Sequence, residues 1–408
     1  MQNSHRQIII ILIVLFTVAQ LVILFLFGYT PYPDSEGYIS LAEECIAHHD
    51  YYPIASKIND YPFLWNIGAV NAVVLSLKSC HSVVPLLVIY ALMKGITSWL
   101  FYAITKRLCG SQTAFIAFII YIIYPANYGE STSTLSELPF LFFCLLGIWL
   151  SLNRQLPILG GISLALANWF RPMGIVFLLA VIIYLYYQKQ KILRPLVGYI
   201  AMILLIGSMT YLRTGLFLYQ AKTGWMALAD YSTHHAPESI QVRNHQEWNV
   251  SQKDAAWQAL FIDWLKNHPA EYVQQMPTKL INTYVSDNVN MCTFILDKAH
   301  KDYMYEEVSM QTLFRHFPNL SAVQWMTLVN LTIYYLLLLS AIISLIYFKN
   351  DTYLLPVSII VLGTLLLLFL GHGEARFHIP FMPFIIMLSA SFINKRMLEL
   401  NSTPAFSL

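Results

Sequence analysis

Apolar runs recur along this chain at lengths that suit a bilayer: residues 8–28, 83–105, 111–126, 135–152, 156–170, 172–187, 195–213, 323–348, 353–370 and 378–394. A helix needs roughly 20 residues to cross about 30 Å of hydrocarbon, and backbone inside that layer must satisfy its own polar groups. The runs therefore predict an all-α polytopic membrane protein, a bundle of about ten transmembrane helices. Charged residues make up only 11% of the chain, against roughly 25% in a soluble domain. That scarcity excludes a soluble globular protein, a disordered tail and a nucleic-acid binder, and leaves membrane lipid as the surrounding partner. The first run follows Arg6 with no small-residue cleavage site behind it, so it reads as a retained helix rather than a removed signal peptide.

The stretch Tyr61–Ser79 competes as a further span, and counting it would invert everything downstream. Basic residues decide, because short cytoplasmic loops carry excess Lys and Arg. With both termini inside, the cytoplasmic segments hold Arg6, Lys106, Arg107, Arg154, Lys189, Lys191, Arg194, Lys349, Lys395 and Arg396 against Asp351 and Glu399 alone. The outer loop 29–82 holds six acids against two bases, and the outer segment 214–322 eleven against eight. Residues 61–79 are accordingly expected as helices at the outer surface, which Pro62, Asn66, Asn71 and Lys78 suit. The chain divides into an N-terminal transmembrane module, 1–213, carrying the outer loop 29–82; an outer helical segment, 214–322; and C-terminal transmembrane helices, 323–408.

Charge at or inside a membrane is expensive and marks function by default. Asp34 and Glu36 follow the first span at the outer edge, in PYPDSEGYISLAEE, with Tyr38 behind them. Acids near a helix start act as caps and dipole partners, and a helix start also fixes a carboxylate for chemistry. Glu137 enters the fourth span from outside, placed to cap that helix or to hold an arginine across the bundle. Arg171 stands at an outer turn in NWFRPMG; it can snorkel to lipid phosphate, pair with Glu130 or Glu137, or hold an anion. His372, Glu374, Arg376 and His378 crowd into GHGEARFHIP before the last span, more ionisable groups than a solubilising turn needs. A planar guanidinium there suits a two-bond grip on phosphate.

Other signals are weaker. Lys94 lies inside the second span with no role assigned. The pairs His48-His49 and His234-His235 lack an i, i+4 partner and read as solvated loop rather than metal site. Cys45, Cys80 and Cys292 would face the oxidising side, where two of them could form a disulfide. No Walker loop, dinucleotide fingerprint, GxSxG elbow or HExxH helix occurs.

The order of these features resembles a known family. Pro33-Asp34-Ser35 with Tyr38 and Ala42 follows the first helix, then Tyr61-Pro62, then Lys106-Arg107 and Gly110 at an inside turn. Pro125 closes the third span, Ser136-Glu137 opens the fourth, Arg171-Pro172 precedes Gly174, and Glu374-Ala375-Arg376-Phe377 runs to Pro380 before the last. This pattern resembles the GT-C fold glycosyltransferases that use polyprenyl- or dolichyl-phosphate sugars, closest to the protein mannosyltransferase and lipid A aminoarabinose transferase type. The likeness covers 1–213 and 323–394; the outer segment 214–322 matches no part of it. Some members carry an adjacent Asp-Glu pair in the first outer loop, whereas here Ser35 separates Asp34 from Glu36.

The resemblance implies transfer of a sugar from a polyprenyl-phosphate donor to a glycan, lipid or protein acceptor. The face would be periplasmic at a bacterial inner membrane, towards which the compact length leans, or lumenal in the endoplasmic reticulum. Asp34 would be the catalytic base, with Glu36 as second acid. Arg376 would meet the donor phosphate, Arg171 second, with Glu374, His378, His372, Tyr38 and Glu137 around the substrate. No cofactor is required, because the donor's energy lies in its lipid-phosphate bond; a divalent metal is left open. A transporter or flippase of lipid-linked saccharide is the alternative, disfavoured because the charges gather at the outer edge rather than mid-membrane.

Overall fold

The computed structural model describes residues 2–55, 63–287, 313–315, 317–320, 322–347, 353–371 and 373–402. The helices run in order α1 (Gln2–Phe27), α2 (Pro33–Ala47), α3 (Ile67–Cys80), α4 (Val84–Cys109), α5 (Ser111–Ile123), α6 (Glu137–Leu152), α7 (Pro157–Phe170), α8 (Gly174–Tyr187) and α9 (Leu193–Thr214). Then follow α10 (Gly224–Ser232), α11 (Pro237–Asn244), α12 (Val250–Asn267), α13 (Pro269–Tyr284), α14 (Ala322–Tyr347), α15 (Leu354–Leu370) and α16 (Met382–Ser402). Among the described residues, extended backbone pairs only at an isolated bridge between Leu64 and Lys222. The protein is an all-α membrane protein.

Among the described residues, five helical stretches are long and apolar enough to cross a membrane: Arg6–Phe27, Val84–Cys109, Leu193–Thr214, Gln324–Ile346 and Ala375–Glu399. Pro125–Thr132 and Glu137–Leu152, bent by 112° at their junction, together pass as a sixth. The other expected runs form the shorter helices α5, α7, α8 and α15. At 1.5 Å per residue these reach about 20–26 Å, less than a full hydrocarbon layer. The spans turn large apolar side chains outward: Ile11, Leu15 and Phe25 on α1, and Val197, Leu204 and Leu212 on α9, are exposed. A surface of that kind suits lipid rather than water.

Proline and glycine set several boundaries. The last run was expected from residue 378, but Ala375–Phe381 forms a 3-10 turn containing Pro380, and α16 starts only at Met382 with Pro383 in its first turn. Proline lacks the N–H that a helix interior needs and is tolerated at a helix start. Gly161 on α7 and Gly198 on α9 meet the opposite backbones directly; a Cβ on Gly161 would overlap the Pro195 carbonyl oxygen, and one on Gly198 the Ile158 carbonyl oxygen. Small residues permit this approach between apolar helices.

Two stretches expected outside the bundle are drawn into it. α3 buries Ile67, Val70, Val73 and Val74 in the main core, so residues 67–80 are a packed helix rather than a loose surface one. Its Asn71 grips the backbone of Tyr52, donating to the carbonyl at 2.8 Å and accepting from the N–H at 3.0 Å. The connection 124–136, expected as an outer turn, buries Glu130, Ser131, Thr132, Ser133 and Thr134. Lys94 explains it. Its ammonium, fully buried, donates to Glu130 Oε2 at 2.6 Å and Asn127 Oδ1 at 3.0 Å. A buried cation needs a counter-charge, and the connection folds inward to supply it.

The described part of the outer segment forms its own small core. Trp257, fully buried, joins Leu228, Phe261 and Tyr272, with Trp225, Trp248 and Trp264 packed around them. α12 opens with a capping box in which Asn249 and Gln252 satisfy each other's backbone N–H groups. Cys45 and Cys80 are free thiols, so the disulfide allowed between them is not formed, and Cys292 lies outside the described residues.

Candidate functional site

α2 begins with Pro33 at its first position and carries Asp34 and Glu36 in its first turn, where the helix dipole favours negative charge. Tyr32 is the capping residue, and no side chain caps the helix. The expected capping role for Asp34 is therefore not the one it plays. Its carboxylate instead reaches Arg376 at the opposite end of the chain, Oδ2 to Nη1, 2.7 Å.

Arg376 gathers the rest of the site. Its Nε lies 2.7 Å from Glu374 Oε1, and its Nη1 stands 3.9 Å from Glu137 Oε1. Its guanidinium lies 5.5 Å from the centre of the Tyr32 ring. Arg171 Nη1 meets the same Glu137 oxygen at 2.5 Å and packs over Phe377. Of the alternatives open for Arg171, pairing with Glu137 is the one formed; Glu130 belongs to Lys94. Two guanidiniums thus interleave with three carboxylates, drawn from α2, the start of α6, the α7–α8 turn and the 3-10 turn before α16.

Neutral polar groups hold this network in place. Tyr38, buried on the inner face of α2, accepts from Asn66 Nδ2 at 2.8 Å, and Asn66 also donates to Ser136 Oγ at 3.2 Å. Burial, then the charges of Asp34 and Glu137, pushes the Tyr38 hydroxyl up to about 12. It stays protonated at neutral pH. Sequence reasoning had singled out Asn66 only as a polar residue suited to a surface helix and Ser136 only as part of a motif. Nothing local in either signals a bridge.

These residues line or underlie a cavity of about 490 Å³ between the bundle and the outer segment, a size that suits a small ligand or part of a larger one. Asp34, Tyr38, Arg171 and Arg376 face it. Leu366, Leu367 and Met173 contribute apolar side chains to its lining, and Trp65, Trp225 and Tyr231 aromatic rings.

Three expected site residues stand otherwise. His378 does not lie at the surface: it is fully buried, Nδ1 donating to the Thr283 carbonyl at 2.7 Å and Nε2 facing Asp287 Oδ1 at 3.4 Å. Residues of the outer segment cover it, so it anchors the Arg376 turn from behind rather than touching the cavity. Glu36 shares the first turn of α2 but is not among the cavity residues. His372 lies outside the described residues. Among the described residues no group of three or more His, Cys, Asp or Glu converges as a metal site would.

The chemistry open to this arrangement is proton acceptance by Asp34 and contact with an anion by Arg171 and Arg376, all of which line a cavity that also carries apolar side chains. Comparison with protein-family models gives no match, and no curated protein matches the chain in sequence.

Proposed function

We propose that this protein is an integral membrane glycosyltransferase of the GT-C kind, moving a sugar from a polyprenyl-phosphate donor to an acceptor at the outer face. The observation that carries the reading is the pairing of Asp34 with Arg376 in a cavity that is also lined by the apolar side chains of Met173, Leu366 and Leu367. A lipid phosphate needs that combination: an apolar surface for the tail, positive charge for the phosphate and a carboxylate near the sugar. In the step proposed, the acceptor hydroxyl oxygen bonds to the anomeric carbon and its proton passes to the Asp34 carboxylate. The anomeric carbon–oxygen bond to phosphate breaks, and its electron pair leaves on the phosphate, opposite Arg376 and Arg171.

The test is donor consumption. Purified full-length protein in proteoliposomes, supplied with a mixed extract of envelope glycans, glycolipids and proteins as acceptor, should release free polyprenyl phosphate from one of a panel of polyprenyl-phosphate hexoses and pentoses, read by mass spectrometry. Donors that stay intact but change leaflet would make the protein a carrier instead. Arg376→Lys retains charge but loses the planar fork that reaches Asp34 and Glu374 together. Transfer by that variant should fall about ten- to a hundredfold, the share of a charge-assisted bond rather than of the charge itself. Normal transfer would place the phosphate elsewhere.

The same reading includes ten spans with both termini cytoplasmic, α5, α7, α8 and α15 crossing together with the longer helices and the bent pair at Glu137. Reporter fusions after Leu408 should then read cytoplasmic, and fusions within 240–280 external. A cytoplasmic reading for 240–280 would sink this topology.

A further inference from the structure

Away from the ion network, the same cavity is built differently. Phe63, Trp65 and Trp225 line it with an ion pair in which Lys222 Nζ donates to Asp254 Oδ2 at 3.0 Å. Each is fixed from behind. Trp65 stands edge-on to Tyr38, ring centres 5.5 Å apart, and covers Gly37, where a Cβ would come within 3.3 Å of the indole. Trp225 leans on Phe261 of the outer-segment core at 6.1 Å. Lys222 is set by its backbone N–H, which donates to the Leu64 carbonyl at 2.9 Å and ties the first outer loop to the outer segment.

We propose that this part of the cavity is a carbohydrate subsite that takes a pyranose ring of an uncharged saccharide acceptor; its place on the acceptor side rests on the transferase reading. A sugar ring has an apolar C–H face and a rim of hydroxyls. Fixed aromatic rings meet the face, while Asp254 accepts from and Lys222 donates to the rim. The rival acceptors fit less well. A peptide is commonly held along a free strand edge, and among the described residues the one extended pairing is already closed between Leu64 and Lys222. A prenyl tail calls for an unbroken apolar surface, which the Lys222–Asp254 ion pair interrupts here.

Saturation-transfer NMR on the full-length protein in lipid nanodiscs reads contact with ring C–H groups directly, using maltotriose, cellotriose, mannotriose and chitotriose as probes. Transfer to at least one of these is expected. It should weaken about tenfold in Trp225→Ala, which removes a contact face of some tens of Å², and fall in Asp254→Asn, but persist in Trp225→Phe. The Asp254 variant removes no packing and covers the case of a Trp225→Ala chain that fails to fold. Added polyprenyl phosphate should leave the signal unchanged. No transfer from any probe, unaltered transfer in Trp225→Ala and Asp254→Asn, or loss of signal with polyprenyl phosphate would overturn the assignment. The measurement needs no turnover, so the two readings fail separately. Saccharide contact in a chain that consumes no lipid-linked donor sinks the transferase and leaves the subsite; donor consumption with no saccharide contact does the reverse.

Discussion

Asp34→Asn should slow sugar transfer by about 10²–10⁴-fold, the range lost with a general base, while leaving the fold intact. The variant is nearly isosteric, and its amide oxygen can still accept from Arg376. The pair it weakens is half-buried, with the Asp34 side chain 28% exposed against 12% for Arg376, and Glu374 and Glu137 still balance the guanidinium. Helix capping does not confuse the result, because the α2 cap uses no side chain. Rate and stability therefore separate cleanly. The measurement is initial transfer rate beside a thermal unfolding curve in the same detergent. A hundredfold loss with an unchanged midpoint supports the base; near-normal transfer defeats it and turns attention to Glu36, on the same helical turn.

The second large effect is on stability. Lys94→Met keeps most of the side-chain volume but strips Glu130, itself only 5% exposed, of its cation. Removing one partner of a buried pair costs about 3–5 kcal/mol, because the other is left charged in a poor solvent. The double change Lys94→Met with Glu130→Gln should recover much of the loss, since nothing charged is then stranded. Unfolding of both variants in matched detergent checks this. If Lys94→Met alone unfolds with the parent, the connection 124–136 is held by something other than its charge.

What the sequence made legible follows the range of the forces involved. Hydropathy and punctuation are local, so α4, α6, α7, α8, α9 and α14 begin and end within a few residues of the apolar runs, and Pro33 marks the start of α2. The charged residues were legible as anomalies: Asp34, Glu137, Arg171 and Arg376 each stood out against an apolar background and meet in one network. Their pairing was not legible, because ion pairs carry no sequence register. Lys94 had no visible partner until the 124–136 connection turned inward. His378 shows the limit from the other side. Its chemistry suggested a ligand contact, yet Thr283 and Asp287, from a segment with no recognisable pattern, cover it.

The glycine-to-carbonyl contacts of α7 and α9 also decide which seams of the bundle can part. Where backbones touch through Gly161 and Gly198, no side chains stand between them to slide or change rotamer. α6 lies against α7 at a similar approach, Gly147 meeting the Gly160 carbonyl. A change of rotamer alone cannot part α7 from α9 at these contacts. Under the transferase reading proposed above, sideways admission of the lipid-linked donor falls to joints made of long, adaptable side chains, such as Leu366 and Leu367 of α15 beside the cavity. Tethering α7 to α9 with an engineered cross-link should leave admission untouched, whereas tethering α15 to α8 should close the door.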